Sequence, residues 1–225
     1  MVERAKALAF AGGALVFPGG RVDPGDHVLA TAPNTPDLDD AAARIAAIRE
    51  TLEETGVAVG LSPPPSPEDA AAIRAGLHGD KPFAALIAAA GVTLDLPALV
   101  PFARWRPHQA MSRVFDARFY LARAPEHAQP QVDGTENVRL LWTSAAQALA
   151  DADRGATNLI FPTRRNLERL ALFTSFRDAV ADADAHPITT IIPTVERRDG
   201  VDHLCIPQNL GYPVTAEPLA RAMRG

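Results

Sequence analysis

The sequence predicts an α/β fold from two observations. An alanine-rich run begins near Asp39, and its apolar residues recur at helical spacing, which places Ala41, Ile45, Ile48 and Leu52 on one core-facing side. Farther along, residues 114–121 alternate apolar and polar side chains with period two, the pattern of a half-buried strand. A chain of 225 residues with 47% hydrophobic residues is expected to form one domain with a sizeable core of sheet and helices.

Composition excludes several classes of partner. The net charge of −5 at pH 7 argues against nucleic-acid binding by the domain as a whole. No run approaches 18 apolar residues and the first residues show no signal-peptide pattern, so we expect no membrane partner. Cys205 is the single cysteine, which rules out an intramolecular disulfide and favours a reducing compartment, for which we expect the cytoplasm.

Three glutamates stand at i, i+3 and i+4 at the end of the helical run. Glu50, Glu53 and Glu54 fall on the side opposite the apolar stripe, so their carboxylates should converge. A hard divalent cation such as Mg²⁺ is a candidate to offset their repulsion. Without the residues around them, the three glutamates favour the alternative that this side of the helix is simply acidic and exposed to water. Gly56 is predicted to end the helix.

The residues around these glutamates resemble the second half of the Nudix box, G-x5-E-x7-R-E-U-x-E-E-x-G-U, where U is aliphatic. The matching residues are Arg49, Glu50, Glu53, Glu54, Gly56 and Val57. Thr51 departs from the pattern, because it stands where an aliphatic residue is usual.

The first half of the box appears upstream as Phe17-Pro18-Gly19-Gly20, and its spacing leads to Asp26 in place of the usual glutamate. The box is interrupted, because 22 residues separate Asp26 from Arg49 where the pattern has seven. The inserted residues 27–40 contain two prolines and several Asp and Asn, and are predicted to form an exposed loop.

A split box of this kind is similar to the coenzyme A diphosphatase branch of the Nudix family, in which a peroxisomal animal enzyme carries a long insertion in its box. Segments 99–105, 112–121, 136–144 and 160–171 resemble further segments of that branch in the right order. The resemblance therefore covers nearly the whole chain. It implies an α/β/α sandwich with a mixed sheet and a hydrolase that needs Mg²⁺ or Mn²⁺.

The resemblance also implies roles for individual residues. Glu50 and Glu54 would be metal ligands, Glu53 a ligand or the general base, and the carbonyl of Gly19 a further ligand. Arg49 would pair with one glutamate and hold it in place.

Four more residues are candidates for the site. Glu136 would be an additional ligand or base, with a solvated loop acid as the alternative. Arg113 carries a guanidinium that suits phosphate, although most arginines of that region are expected at the surface. Arg4 lies in a segment that resembles a coenzyme A motif of the branch. Gly20 would allow the backbone to approach a ligand closely.

Two classes of function remain open. The first is a metal-dependent diphosphatase for a small-molecule nucleotide, either coenzyme A or acyl-CoA cleaved to 3′,5′-ADP and 4′-phosphopantetheine, or ADP-ribose or another nucleotide sugar. The second is a non-catalytic module that senses a nucleotide. The intact set of Arg49, Glu50, Glu53 and Glu54 weighs against the second class.

The predicted organisation is one domain over residues 1–225. Residues 62–97 form a helical insertion that either caps the site or provides a homodimer surface. Residues 157–225 form a C-terminal extension: a helix capped by Thr163 and running to about Ala183, then a hairpin of strands 188–192 and 201–206 around Asp199-Gly200. The similar branch has another strand before Val2, so we expect either a start placed too far downstream or a sheet short of one strand.

Overall fold

The structure is a computed structural model, and it describes residues 1–7, 11–31, 37–106, 116–126, 128–132, 134 and 136–223. The described helices are α1 Pro24–Leu29, α2 Leu38–Thr55, α3 Pro67–His78, α4 Phe83–Ala89, α5 Ala145–Asp153, α6 Phe161–Leu170, α7 Phe176–Ala185 and α8 Leu219–Ala222. The described strands are β1 Val2–Arg4, β2 Leu15–Val16, β3 Leu61–Ser62, β4 Thr93–Leu94, β5 Val100–Trp105, β6 Ala117–Leu121, β7 Asn137–Leu140, β8 Thr190–Ile191, β9 Thr194–Arg198, β10 Val201–Cys205 and β11 Ala216–Pro218. None of the described helices is long and apolar enough to cross a membrane.

Helix α2 forms as the sequence predicts. The side chain of Asp37 accepts a hydrogen bond from the Asp40 amide at 2.9 Å and caps the helix start. Gly56 ends the helix with φ 73°, in the left-handed region that favours glycine. The four residues of the predicted stripe are at most 4% exposed, which confirms the core-facing side of the helix.

The described strands form four sheets, one of which is mixed. Strand β1 lies between β2 and β7 and is antiparallel to both. Strand β5 lies between β6, which is antiparallel, and β8, which is parallel. Strands β9, β10 and β11 form a third sheet, and β3 pairs with β4. The helices and the sheets, one of them mixed, together confirm the predicted α/β class.

The inserted helices α3 and α4 share a core with α2. Ser66 caps α3 by accepting from the Asp69 amide at 3.1 Å, and α3 lies within residues 62–97, where a helical insertion is predicted. Ile73 and Leu77 of α3 and Phe83 of α4 are buried in the same apolar cluster as the stripe of α2. The insertion is therefore packed directly on the helix that carries the glutamates.

The prediction of one long helix capped by Thr163 is wrong. Helix α6 already begins at Phe161, and Thr163 is buried within it. A second helix, α7, begins after Ser175, whose side chain accepts from the Asp178 amide at 3.1 Å. Pro162 explains the earlier start, because proline fits the first helical turn, where its missing N–H is not needed.

The predicted hairpin has the right turn but a different first strand. Asp199-Gly200 joins β9 to β10 with φ values of 48° and 79°. Residues 188–192 do not pair with β10; β8 within them pairs with β5, and Ile191 is 2% exposed. Pro193 ends the apolar run, because proline has no N–H to give to a sheet.

The prediction of an exposed loop over 27–40 is wrong at both ends. Helix α1 extends to Leu29, and α2 begins at Leu38. The start of α1 is stabilised by Pro24 in its first turn and by Asp26, whose Oδ2 accepts from the Asp23 amide at 2.9 Å. Residues 32–36 lie outside the described residues.

Candidate active site

The last turns of α2 meet the turn that follows β2. The Gly19 amide donates to Oε2 of Glu54 at 3.0 Å, and Gly19 has φ 153°. A Cβ added to Gly20 would lie 2.3 Å from Oε1 of Glu50, closer than van der Waals contact allows. The glycines therefore allow the backbone of the turn to lie against two carboxylates of the helix.

Arg49 is the centre of a buried charge network. It is 8% exposed, and it donates to both carboxylate oxygens of Asp26 at 3.1 and 2.9 Å, to Glu50 at 2.8 Å and to the Arg21 carbonyl at 3.0 Å. Glu53 lies 3.7 Å from the same guanidinium. Burial alone would lower the pKa of Arg49, but the Asp26 hydrogen bond and the Glu50 charge raise it, so this side chain stays charged.

Asp26 is a site residue to which sequence reasoning assigned no role. Its carboxylate is 1% exposed and binds Arg49 with two hydrogen bonds. Its place as the acid in the first half of the box was the signal that could have identified it. Helix α1 lies inside the interrupted box and places Asp26 beside Arg49, which is 23 residues later in the chain.

The carboxylates of Glu50 and Glu54 are partly shielded from solvent. Burial raises the pKa of Glu54 to about 7, although the Gly19 amide and the Asn137 side chain both hydrogen-bond to it. Burial also raises the pKa of Glu50, against the opposing charge of Arg49. Asn137, fully buried at the start of β7, is a second contact that the sequence analysis missed, and no local pattern marks it.

The expected convergence of three carboxylates is not what the described side chains show. Glu50 points to Arg49, Glu54 contacts the Gly19 amide, and the Glu53 side chain is 31% exposed. Within the described ranges, no group of three or more His, Cys, Asp and Glu side chains is arranged to hold a metal ion. Glu50 and Glu53 share the guanidinium of Arg49, at 2.8 and 3.7 Å, while Glu54 lies against the Gly19 amide.

The chemistry of the donors nevertheless fits a hard divalent cation. Glu50 and Glu54 present carboxylate oxygens, which Mg²⁺ and Mn²⁺ accept as ligands. Burial raises the pKa of both carboxylates, and a bound cation would favour their charged form. Glu50, Glu53 and Glu54 are the residues that would hold the ion; the carbonyl of Gly19 stays a prediction.

Of the other predicted residues, those that the structure describes lie along the same cleft. Glu136 is exposed just before β7, and its carbonyl accepts from the Ala5 amide at 2.9 Å. Arg4, half-buried at the end of β1, acts electrostatically on Glu54. Arg4, Gly20 and Glu136 line the cleft together with the glutamates of the box. Arg113 lies outside the described residues.

Aromatic side chains line the cleft beyond the glutamates. Phe17 packs edge-on against Phe119 with ring centroids 5.9 Å apart, and Trp105 packs edge-on against Phe161 at 6.0 Å. Trp105 and Phe161 are 2% and 6% exposed and belong to an apolar core cluster, whereas Phe17 and Phe119 are half-buried. Phe17 and Phe119 therefore give the cleft an apolar surface in addition to its acidic end, which is able to attract cations.

Comparison with known proteins supports a class of enzyme. No model of a protein family matches the sequence. The structure is similar to the crystal structure of a Nudix hydrolase from Alicyclobacillus acidocaldarius, with a TM-score of 0.68 and 28% sequence identity over 80% of this chain and 86% of that chain. The chain is thus a hydrolase with the fold of that protein. The likeness supports a Nudix-type pyrophosphohydrolase, an enzyme that acts on acid anhydrides.

Proposed function

We propose that the chain hydrolyses the diphosphate of coenzyme A or acyl-CoA, giving 3′,5′-ADP and 4′-phosphopantetheine or its acyl form. The observation that carries the proposal is the pair of carboxylates formed by the buried Glu54 and the half-buried Glu50, packed against the turn at Gly19 and Gly20. The choice of coenzyme A is supported by the interrupted box and by the downstream segments that resemble the coenzyme A diphosphatase branch.

Each residue of the box has a distinct task in this reaction. Mg²⁺ or Mn²⁺, when bound, supplies neutralisation of the diphosphate charge and activation of water. Arg49 holds Glu50 in place through the hydrogen bond of 2.8 Å. Glu53, the most exposed of the three glutamates, is the proposed acceptor of the proton of the attacking water, and Glu136 is the second candidate. Water adds to one phosphorus, and the bridging oxygen leaves with the other phosphate.

The cleft offers complementary contacts to the rest of the substrate. Arg4 brings a positive charge next to the acidic end, where phosphate oxygens would lie. The half-buried rings of Phe17 and Phe119 suit the apolar part of a pantetheine or acyl arm.

A hydrolysis panel tests the proposal. Coenzyme A, acetyl-CoA, ADP-ribose, NADH and diadenosine polyphosphates are compared with Mg²⁺, with Mn²⁺ and with EDTA, and products are identified by mass spectrometry. We expect the highest kcat/KM for the coenzyme A compounds, release of 3′,5′-ADP, and no turnover in EDTA. A higher kcat/KM for ADP-ribose, or turnover that persists in EDTA, would contradict the substrate or the metal respectively.

A further inference from the structure

One arginine of the inserted helix α3 contacts three backbone carbonyls near the site. Arg74 donates through Nε to the Glu53 carbonyl at 2.8 Å, and through its second terminal nitrogen to the carbonyls of Glu54 at 3.3 Å and Gln131 at 2.8 Å. A ring nitrogen of His78, one turn farther along α3, lies 3.1 Å from the same Glu53 carbonyl.

Two of these carbonyls, those of Glu53 and Glu54, belong to the end of helix α2, where they have no partner within the helix. The last four C=O groups of an α-helix are left without intrahelical donors, and together they form the negative end of the helix dipole. A guanidinium satisfies several of them at once because its five N–H groups are held in a planar fork. The end of α2 is also compact here, since a Cβ on Gly56 would lie 3.5 Å from the Arg74 guanidinium.

We propose that Arg74 is a positioning residue of the active site, which fixes the last turn of α2 relative to the segment that leads to Glu136. This inference rests on the proposed function. Glu53 and Glu54 carry the carboxylates assigned to the reaction, and Arg74 holds the carbonyls of those same two residues. The contact to Gln131 reaches the segment before Glu136, and the Glu136 carbonyl is in turn held by the Ala5 amide.

The inference assigns a third role to the insertion, besides the cap and the dimer surface that the sequence allowed. Helix α3 provides both Arg74 and His78 at the end of α2 and also packs on its buried stripe. Misplacing a catalytic group by about 1 Å can lower a rate by roughly 100-fold. A loss of this support should therefore lower kcat more than KM.

Arg44 provides a matched control. It lies near the opposite end of α2 and also donates to backbone carbonyls, those of Leu96 at 3.0 Å and of Leu99. It contacts Asp40 as well. Its loss should destabilise the same helix without disturbing the turn that carries Glu53 and Glu54.

The test compares full-length Arg74→Ala, Arg74→Lys and Arg44→Ala with the wild type. We expect Arg74→Ala to lower kcat by roughly 10- to 100-fold with a smaller change in KM, and added guanidinium chloride at millimolar concentration to restore part of kcat. Arg74→Lys keeps the charge but not the fork, so its kcat should be intermediate. Arg44→Ala should lose a comparable amount of melting temperature and keep kcat within about threefold of the wild type, because its contacts lie away from the turn that carries Glu53 and Glu54.

Hydrogen exchange separates failure of this inference from failure of the proposed function. In Arg74→Ala the amides of residues 53–56 should exchange faster than in Arg44→Ala, whether or not any substrate is turned over. If the wild type hydrolyses none of the diphosphates, the proposed function is wrong. The hydrogen-exchange result then still tests whether Arg74 holds the end of α2 in place. If Arg74→Ala does not fold, Arg74→Lys takes its place. Unchanged exchange at 53–56, or kcat that falls equally in the Arg44 and Arg74 variants, would overturn the positioning role.

Discussion

Among single residues, Asp26 and Arg49 form the pair on which the order of the acidic site depends. The Asp26→Asn variant leaves the buried guanidinium of Arg49 with Glu50 at 2.8 Å and with the more distant carboxylates of Asp23 at 3.5 Å and Glu53 at 3.7 Å. We expect the free energy of unfolding to fall by about 3–5 kcal/mol, the cost of breaking a buried ion pair, and kcat to fall with it. Urea denaturation and steady-state kinetics measure the two effects.

Asp23 is the control for this prediction. Its side chain is 61% exposed and lies 3.5 Å from the same guanidinium. Asp23→Asn should cost no more than about 1 kcal/mol, as exposed ion pairs do. Equal losses in the two variants would show that the buried pair has no special importance.

Glu53 is the residue assigned to proton transfer. Glu53→Gln keeps the shape of the side chain and removes its charge and basicity. We expect kcat to fall by roughly 10²–10⁴, the range for a catalytic acid or base. The melting temperature should change little, because the side chain is 31% exposed. A kcat near that of the wild type would show that another residue is the base, and the kcat of Glu136→Gln would then be measured.

Glu54 should make stability depend on pH in the absence of metal. Its pKa is about 7 in the folded protein against an ordinary value of 4.5, so between these values the folded chain binds more protons than the unfolded chain. Its contribution to stability is complete below about pH 4.5 and is lost as the pH rises through about 7. The difference is on the order of 3 kcal/mol, at 1.36 kcal/mol for each pKa unit.

Glu54→Gln tests this dependence. Urea denaturation in EDTA at pH 5 and pH 8 should show a smaller loss of stability on raising the pH for the variant than for the wild type. Parallel pH profiles for the two proteins would mean that Glu54 ionises alike in the folded and unfolded states.

At the scale of elements, the Gly19-Gly20 turn matters because it lies against the end of α2. In Gly20→Ala the new methyl group would fall within 2.6 Å of all three atoms of the Glu50 carboxyl group. Glu50 or the turn must move, so we expect kcat/KM to fall at least about tenfold, equivalent to roughly 1.4 kcal/mol. Steady-state kinetics at saturating Mg²⁺ would measure it.

Gly25 is the matched control for the turn. It lies in helix α1, and a Cβ there would meet nothing within 4 Å. Gly25→Ala should raise the free energy of unfolding by up to about 1 kcal/mol, because alanine favours a helix over glycine. Loss of activity in both variants alike would mean that the contact between Gly20 and Glu50 is not the cause.

At the scale of the whole molecule, the fold gathers acids from distant parts of the chain, and a cation should stabilise the folded state. Mg²⁺ at 100 times its dissociation constant should add about 2.7 kcal/mol to the free energy of unfolding. We expect a rise in melting temperature for the wild type and none for the Glu50→Gln, Glu54→Gln double variant. Potassium chloride at equal ionic strength is the control, and an equal rise with it would exclude specific binding.

Local signals in the sequence determined much of the fold. The core-facing stripe of α2, its end at Gly56, the caps Ser66 and Ser144, and the Asp199-Gly200 turn all follow from residues within a few positions of one another. Helix periodicity, caps and turns depend on short-range sterics and hydrogen bonds, so sequence alone is sufficient to predict them.

Only the tertiary structure decided which distant residues meet. Asp26 and Arg49 are 23 residues apart, Arg74 and Glu53 are 21 apart, and Gly19 and Glu54 are 35 apart. The same holds for β8, which pairs with β5 and not with β10. Periodicity shows which face of a helix or strand is buried. It does not show which other element packs against that face, because the packing of the complete core selects this partner.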